Sequence, residues 1–352
     1  MSAIEQRQVR RLTASLVTVW LLPVGLLVLV SAGASVGTVP LLVASVLALA
    51  PVPVYLSSIL LLDRFEREPP HLLLLAFVWG ATGAIAIALF MYGAAVGLGA
   101  PEFFVAHLAA PIFEEGAKVV VVLVLYVRKR HEFDGVVDGI VYASMAGLGF
   151  AATENILYYS EAYREGYETL QATWIVRGLM SPFAHPFFTS ATGIGLGVAR
   201  YARNGLVQIA APTAGFAVGV WLHTIWNASA PSHFLAVYVL VMLPAFAGVL
   251  VVLLGSLAHE GMVIRQYLAT DVTSGRLTPA ALHELATLRG RWLANSRALR
   301  RGRFETWRRR RLAQQAAADL AFLRRAALHD GASPDATLEA EYLQKIDGAW
   351  EV

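Results

Sequence analysis

Eight long apolar runs leave this chain little choice but a bundle of membrane-spanning helices. They fall near residues 13–31, 38–62, 70–98, 103–127, 136–158, 173–199, 206–228 and 232–258. Each is long enough to cross a hydrocarbon layer of about 30 Å at about 1.5 Å per residue. Inside lipid every backbone amide must find its partner within the protein, and a helix does so on its own. The expected fold is therefore all-α, a polytopic membrane helix bundle of about eight transmembrane helices with a soluble helical C-terminal tail. Composition agrees, with 57% apolar and 15% charged residues, against about 25% charged in a typical soluble domain. There is no cysteine, which excludes disulfides, thiolate catalysis and Cys-ligated zinc.

The basic residues divide the chain. Residues 1–258 hold 13 of the 28 Lys and Arg, and residues 259–352 hold the other 15. A transmembrane domain over 1–258 and a cytoplasmic basic helical tail over 259–352 are expected. Alternate loops carry Arg7/Arg10/Arg11, Arg64/Arg67, Arg128/Lys129/Arg130 and Arg200/Arg203, whereas the loops near 32–37, 99–102, 159–172 and 229–231 carry only Arg164. The positive-inside rule then puts both termini in the cytoplasm of a multi-pass cell-membrane protein. Ala32-Gly33-Ala34 resembles a signal-peptide cleavage site, but the first run is long for that role and reads as an uncleaved anchor. In the tail, two or three amphipathic helices are expected, opened by Thr278-Pro279 and interrupted at Gly302 and Gly331–Pro334. Arg300, Arg301, Arg303 and Arg308–Arg311, interleaved with Phe304 and Trp307, suit anionic lipid headgroups. No nucleic-acid recognition fold is visible.

Four runs also carry ionisable groups where hydrocarbon makes them costly. These are Glu114-Glu115-x-x-Lys118 on the fourth, Glu154-Asn155 on the fifth, His185 on the sixth and His223-x-x-x-Asn227 on the seventh. Counted from the cytoplasmic end of each run, Glu115 lies roughly 18 Å deep, His185 roughly 21 Å, His223 near 25 Å and Glu154 near 27 Å. Helices of alternating direction thus bring two acids and two histidines to one level, as a water-handling active site requires. Glu114 and Lys118, four apart, share a face and neutralise each other. Glu115 points about 100° away and is left as a general base. His185 sits at a kink between Pro182 and Pro186 and could bind a metal or a water. Asn227, one turn from His223, could orient the imidazole or donate to an oxyanion. The remaining histidines, His71, His107, His131, His233 and His259, lie near run ends and carry no catalytic expectation.

In this order, Glu114-Glu115-x-x-Lys118, Phe150-x-x-x-Glu154-Asn155, His185 and His223-x-x-x-Asn227 resemble the PrsW family of intramembrane proteases, related to the CAAX prenyl proteases and Abi proteins. The loop Asp63–Pro70 and the run Phe133–Tyr158 resemble it too, so the likeness covers roughly residues 50–258. The resemblance implies cleavage of a membrane-anchored single-span protein, an anti-sigma factor in the family's best-known role, cut on its outer side in stress signalling. It implies catalytic roles for Glu114, Glu115, Glu154, His185 and His223, with Lys118, Asn155 and Asn227 in support. Two mechanisms stay open. In one, Glu115, His185 and His223 (or Glu154) hold Zn²⁺; in the other, a glutamate activates water without a metal.

Two other functions compete. A proton-coupled transporter also needs buried acids and histidines, but no matching pair of broken helices marks two halves. A ceramidase-like lipid hydrolase would need a suitably placed serine, for which only Ser144 and Ser181 stand as candidates.

Overall fold

The computed structural model describes residues 3–130, 132–229 and 233–347, with side chains from Val19 onward except Trp20. The side chains of Arg7, Arg10 and Arg11, His131, and residues 230–231 of the last outer loop lie outside the described residues. Among the described residues all regular structure is helical. The chain forms two compact units, residues 1–62 with 68–250, and residues 63–67 with 251–352.

The first unit begins with α1 (Ala3–Val36), α2 (Thr38–Leu49) and α3 (Val52–Leu60), the last two separated at Pro51. Then come α4 (Pro70–Trp79) and α5 (Ile85–Gly97) joined by a π-helical turn over Gly80–Ala84, and α6 (Glu102–Phe104) joined to α7 (Ala110–Arg128) by another over Val105–Ala109. The central helix α8 (Val136–Glu165) is followed by α9 (Tyr167–Trp174), which runs into a π turn over Ile175–Met180. After a break at Ser181–Phe183 come α10 (Ala184–Arg200), α11 (Gly205–Ser229), α12 (Phe234–Val237), a fourth π turn over Tyr238–Met242 and α13 (Leu243–Tyr267).

Five helical stretches are long and apolar enough to cross a membrane: Thr38–Leu60, Pro70–Gly97, Val136–Glu165, Gly205–Ser229 and Phe234–Tyr267. In α1 the apolar part, Leu21–Val36, is shorter. The fourth and sixth runs fall outside this set for a physical reason. The fourth puts Glu114, Glu115 and Lys118 in the apolar body of α7, and the sixth is broken at Ser181–Phe183 just before His185.

Helix α8 is the hub, with 94% of its most apolar window buried, large side chains such as Tyr142 and Phe150 alternating with small ones. Small residues permit this. A Cβ on Gly139 would lie 2.0 Å from the carbonyl oxygen of Gly193 on α10, and the reverse holds for Gly193. At Gly147 a Cβ would meet the His185 carbonyl carbon at 2.7 Å and Pro186 N at 2.6 Å. These glycines let two backbones touch, as small residues do between membrane helices. Gly147→Val is therefore expected to push the first turn of α10 away and displace His185. Loss of cleavage in a variant that still elutes as a folded protein would bear this out, and wild-type cleavage would refute it.

At the foot of α8, Asp138 in the first turn accepts the backbone N–H of Asp134 at 2.8 Å, tying the preceding loop to the helix start.

The second unit carries more helices than the two or three expected. After the end of α13 come α14 (Ala269–Thr273), α15 (Pro279–Leu285), α16 (Leu288–Arg300), α17 (Phe304–His329) and α18 (Ala336–Asp347). The missed breaks are short turns, which hydropathy alone does not register. Thr278 caps α15 by accepting from Ala281 N at 3.1 Å, and Gly302, at φ +65°, divides α16 from α17. Arg291 ties residues 63–67 into this unit. Its guanidinium donates to the Phe65 carbonyl at 2.9 Å and the Leu285 carbonyl at 2.7 Å, and lies 4.6 Å from the Phe65 ring centre. Burial pushes this guanidinium down to about 10, so it is still charged at neutral pH. Arg291→Met leaves buried acceptors unpaired and is expected to destabilise the unit by about 3 kcal/mol. Trypsin should then cut faster at Arg64 or Arg67; an unchanged digestion rate would contradict this.

Candidate active site

The four polar helices converge. Lys118 on α7 is completely buried, and its Nζ donates to Glu115 Oε1 at 2.8 Å and lies 2.9 Å from His185 Nδ1. Glu114 Oε2 is farther off, at 3.6 Å. This corrects the expected pairing. Spacings of three and four residues both fall on one helical face, and here the lysine engages Glu115 the more closely. The ammonium also sits 4.0 Å from the ring centre of Phe150, one α8 turn before Glu154, a cation–π contact in a dry interior.

Glu115 is saturated. Its Oε1 accepts from Lys118 and from His223 Nδ1 at 3.0 Å, and its Oε2 accepts from Thr189 at 2.8 Å. Glu154 is equally engaged. It pairs with Arg177 from the π turn before α10, and its Oε2 is 2.7 Å from His185 Nε2. Arg177 Nε further donates to Asn155 Oδ1 at 2.7 Å, and its guanidinium covers the Tyr158 ring at 3.9 Å.

The partners fix the imidazole protons. Lys118 can only donate, so His185 Nδ1 accepts and Nε2–H donates to Glu154. His223 Nδ1–H donates to Glu115, leaving Nε2 turned toward Glu114 Oε2 at 3.6 Å. His223 thus has a carboxylate on Nδ1 and an unprotonated Nε2 toward the cluster, the arrangement that carboxylates impose on metal-binding histidines, whereas the unprotonated Nδ1 of His185 is taken by Lys118 and would have to exchange that contact for a metal. The two rings are 5.0 Å apart, and Phe188 stacks on His223.

Glu114 is the exception, since its Oε2 is buried without a hydrogen-bond partner. Glu114, His185 and His223 each present a ligand atom within 4.8 Å of the others'. Three carboxylates (Glu114, Glu115, Glu154) and two cationic side chains (Lys118, Arg177) thus surround two imidazoles. Glu114, His185 and His223 are donors of a kind that fits a bound cation. The carboxylate that groups with the two histidines here is Glu114, while Glu115 and Glu154, the acids expected as ligands, each hold one imidazole.

Asn227 Nδ2 donates to the Ala106 carbonyl in the π turn before α7, at 3.2 Å. That turn supplies an acceptor no helix would offer, which local spacing does not reveal. Asn227→Ala should therefore slow cleavage less than about tenfold, whereas loss of an oxyanion donor costs about 10²–10³-fold. Ser181 Oγ is engaged by the Val176 carbonyl at 2.6 Å.

Sequence reasoning passed over Arg177 and Thr189. A lone arginine in an apolar run was the signal for the first; Thr189, one turn after His185, shares its face.

Buried acids, paired cations and oriented imidazoles on four apolar helices form a candidate hydrolytic centre. Comparison with known proteins refines this. The family model described as PrsW family intramembrane metalloprotease matches residues 68–249. Proteins named Protease PrsW are similar: that of Geobacillus kaustophilus is 36% identical over 154 residues, covering 44% of this chain and 65% of its own length. Those of Bacillus subtilis (32% over 157 residues, 44% and 68%) and Oceanobacillus iheyensis (33% over 185 residues, 51% and 79%) are also similar. The chain thus spans just under two thirds of the G. kaustophilus protein. No solved structure matches. The chain belongs to the PrsW family of intramembrane metalloproteases.

Proposed function

We propose that this chain is an intramembrane endopeptidase that hydrolyses a peptide bond of a single-span membrane protein. The observation that carries the reading is the buried cluster in which two carboxylates orient two histidines and a third, Glu114, keeps an oxygen without a hydrogen bond. Glu115 and Glu154 hold the imidazoles in one tautomer. Glu114, as ligand or proton acceptor, is the carboxylate facing the interior of the cluster. A divalent cation held by Glu114, His185 and His223, with zinc suited to such nitrogen and oxygen donors, would acidify water and polarise the scissile carbonyl.

An anti-sigma factor cut on its outer side fits the family's role, with both termini of this chain in the cytoplasm. The test compares the membrane proteome of cells with wild type and with Glu114→Gln. One single-span protein shortened only by wild type supports the reading, and identical proteomes reject it.

The basic tail is proposed to lie on anionic headgroups, supported by exposed Leu299, Phe304 and Leu312 beside Arg300, Arg301, Arg303, Arg308 and Arg309. A polarity-sensitive dye on Phe304→Cys should shift to the blue in phosphatidylglycerol vesicles relative to phosphatidylcholine. Equal emission in both would reject the contact.

A further inference from the structure

A cavity of about 160 Å³ lies beside the cluster, between the break at Ser181–Phe183 and the π turn Tyr238–Met242. Its wall includes Phe183, Phe187, Phe188, Trp226, Tyr238 and Met242. The two side-chain hydroxyls on the wall are engaged by backbone carbonyls, Tyr238 with Met180 at 2.9 Å and Ser181 with Val176 at 2.6 Å. The space is thus lined almost wholly by apolar atoms.

Its position relative to the chemistry is close. Ala184, also on the wall, precedes His185. Phe188 stacks on the His223 ring with centres 5.0 Å apart, and Trp226 follows His223 by one helical turn. A chain whose side chain filled the cavity would bring its own backbone to the histidines. Leu243 and Phe246, also on the wall, are 46% and 45% exposed, so the cavity reaches the apolar outer surface of the helices.

We propose that this cavity is the specificity subsite, and that it takes one large apolar side chain, Phe or Leu, flanking the bond to be cut. Size supports the choice, because a cavity of about 150 Å³ with apolar walls holds a benzene ring. The assignment rests on the protease reading above.

Full-length protein is co-expressed with a library of single-span reporters randomised at the outer end of the helix, and Glu114→Gln serves as the control for cleavage by this protein. Cut reporters should carry Phe or Leu at one position beside the new terminus, favoured over Ala by about tenfold or more. Met242→Trp, or Leu243→Phe if that fails to fold, narrows the cavity and should shift the preference to Ala or Val while cleavage continues. A flat profile, or one that neither variant moves, overturns the subsite but leaves the protease reading standing. No Glu114-dependent cleavage overturns both. A second measurement needs no catalysis, because the chain has no cysteine. Met242→Cys in the Glu114→Gln protein should react with N-ethylmaleimide about tenfold more slowly with a synthetic single-span peptide carrying Phe at that position than with its Ala version. Equal rates overturn the proposal.

Discussion

Glu114→Gln should abolish cleavage, by about 10²–10⁴-fold if only the proton-transfer contribution is lost, while leaving the protein in the membrane at its normal level. The substitution keeps the shape of the side chain and removes its charge. Glu115→Gln should act differently. Its carboxylate is held by Lys118, His223 and Thr189, so the loss is of imidazole orientation. Groups that orient a metal ligand are worth about 10–100-fold in metal affinity or activity. The order of severity, Glu114 before Glu115, separates this arrangement from the pairing that residue spacing alone suggests. Kinetics of both variants on one cleavable reporter would decide it, and a Glu115 variant weaker than the Glu114 variant would contradict it.

Arg177→Leu is expected to have the second large effect, this time on stability as well as activity. Glu154 would keep His185 as its only close partner, and a buried charge stripped of its counter-ion costs about 3–5 kcal/mol. His185 would then lose its anchor, since the same carboxylate oxygen meets both Arg177 and His185 Nε2. The double variant Arg177→Leu/Glu154→Leu should recover much of the stability without recovering cleavage. Thermal unfolding in detergent checks the first part. If the single variant melts like wild type, the ion pair does not compensate Glu154 as described.

The outline of this site was legible in the sequence because hydrocarbon makes each ionised group conspicuous. Glu114, Glu115, Lys118, Glu154, His185 and His223 stood out against apolar neighbours, and the structure gathers all six. What was not legible depended on direction and on other helices. Periodicity cannot choose between Glu114 and Glu115 for Lys118, because both spacings share a face. Asn227 finds its partner in a π turn of α6–α7, a backbone feature with no residue signature here. Arg177 sits in a run whose mean hydropathy hides one arginine. Gly139 and Gly147 let α8 touch the backbone of α10, a contact whose partner helix the sequence does not specify.

Metal content of the purified full-length protein tests the central arrangement most directly. Mass spectrometry of the metal in detergent-solubilised wild type should find one divalent ion per chain. That ion should be lost in Glu114→Ala, His185→Ala and His223→Ala, and retained in Asn227→Ala. Cleavage-competent protein without a bound metal, or a metal that survives loss of His223, would contradict a centre built from those three side chains.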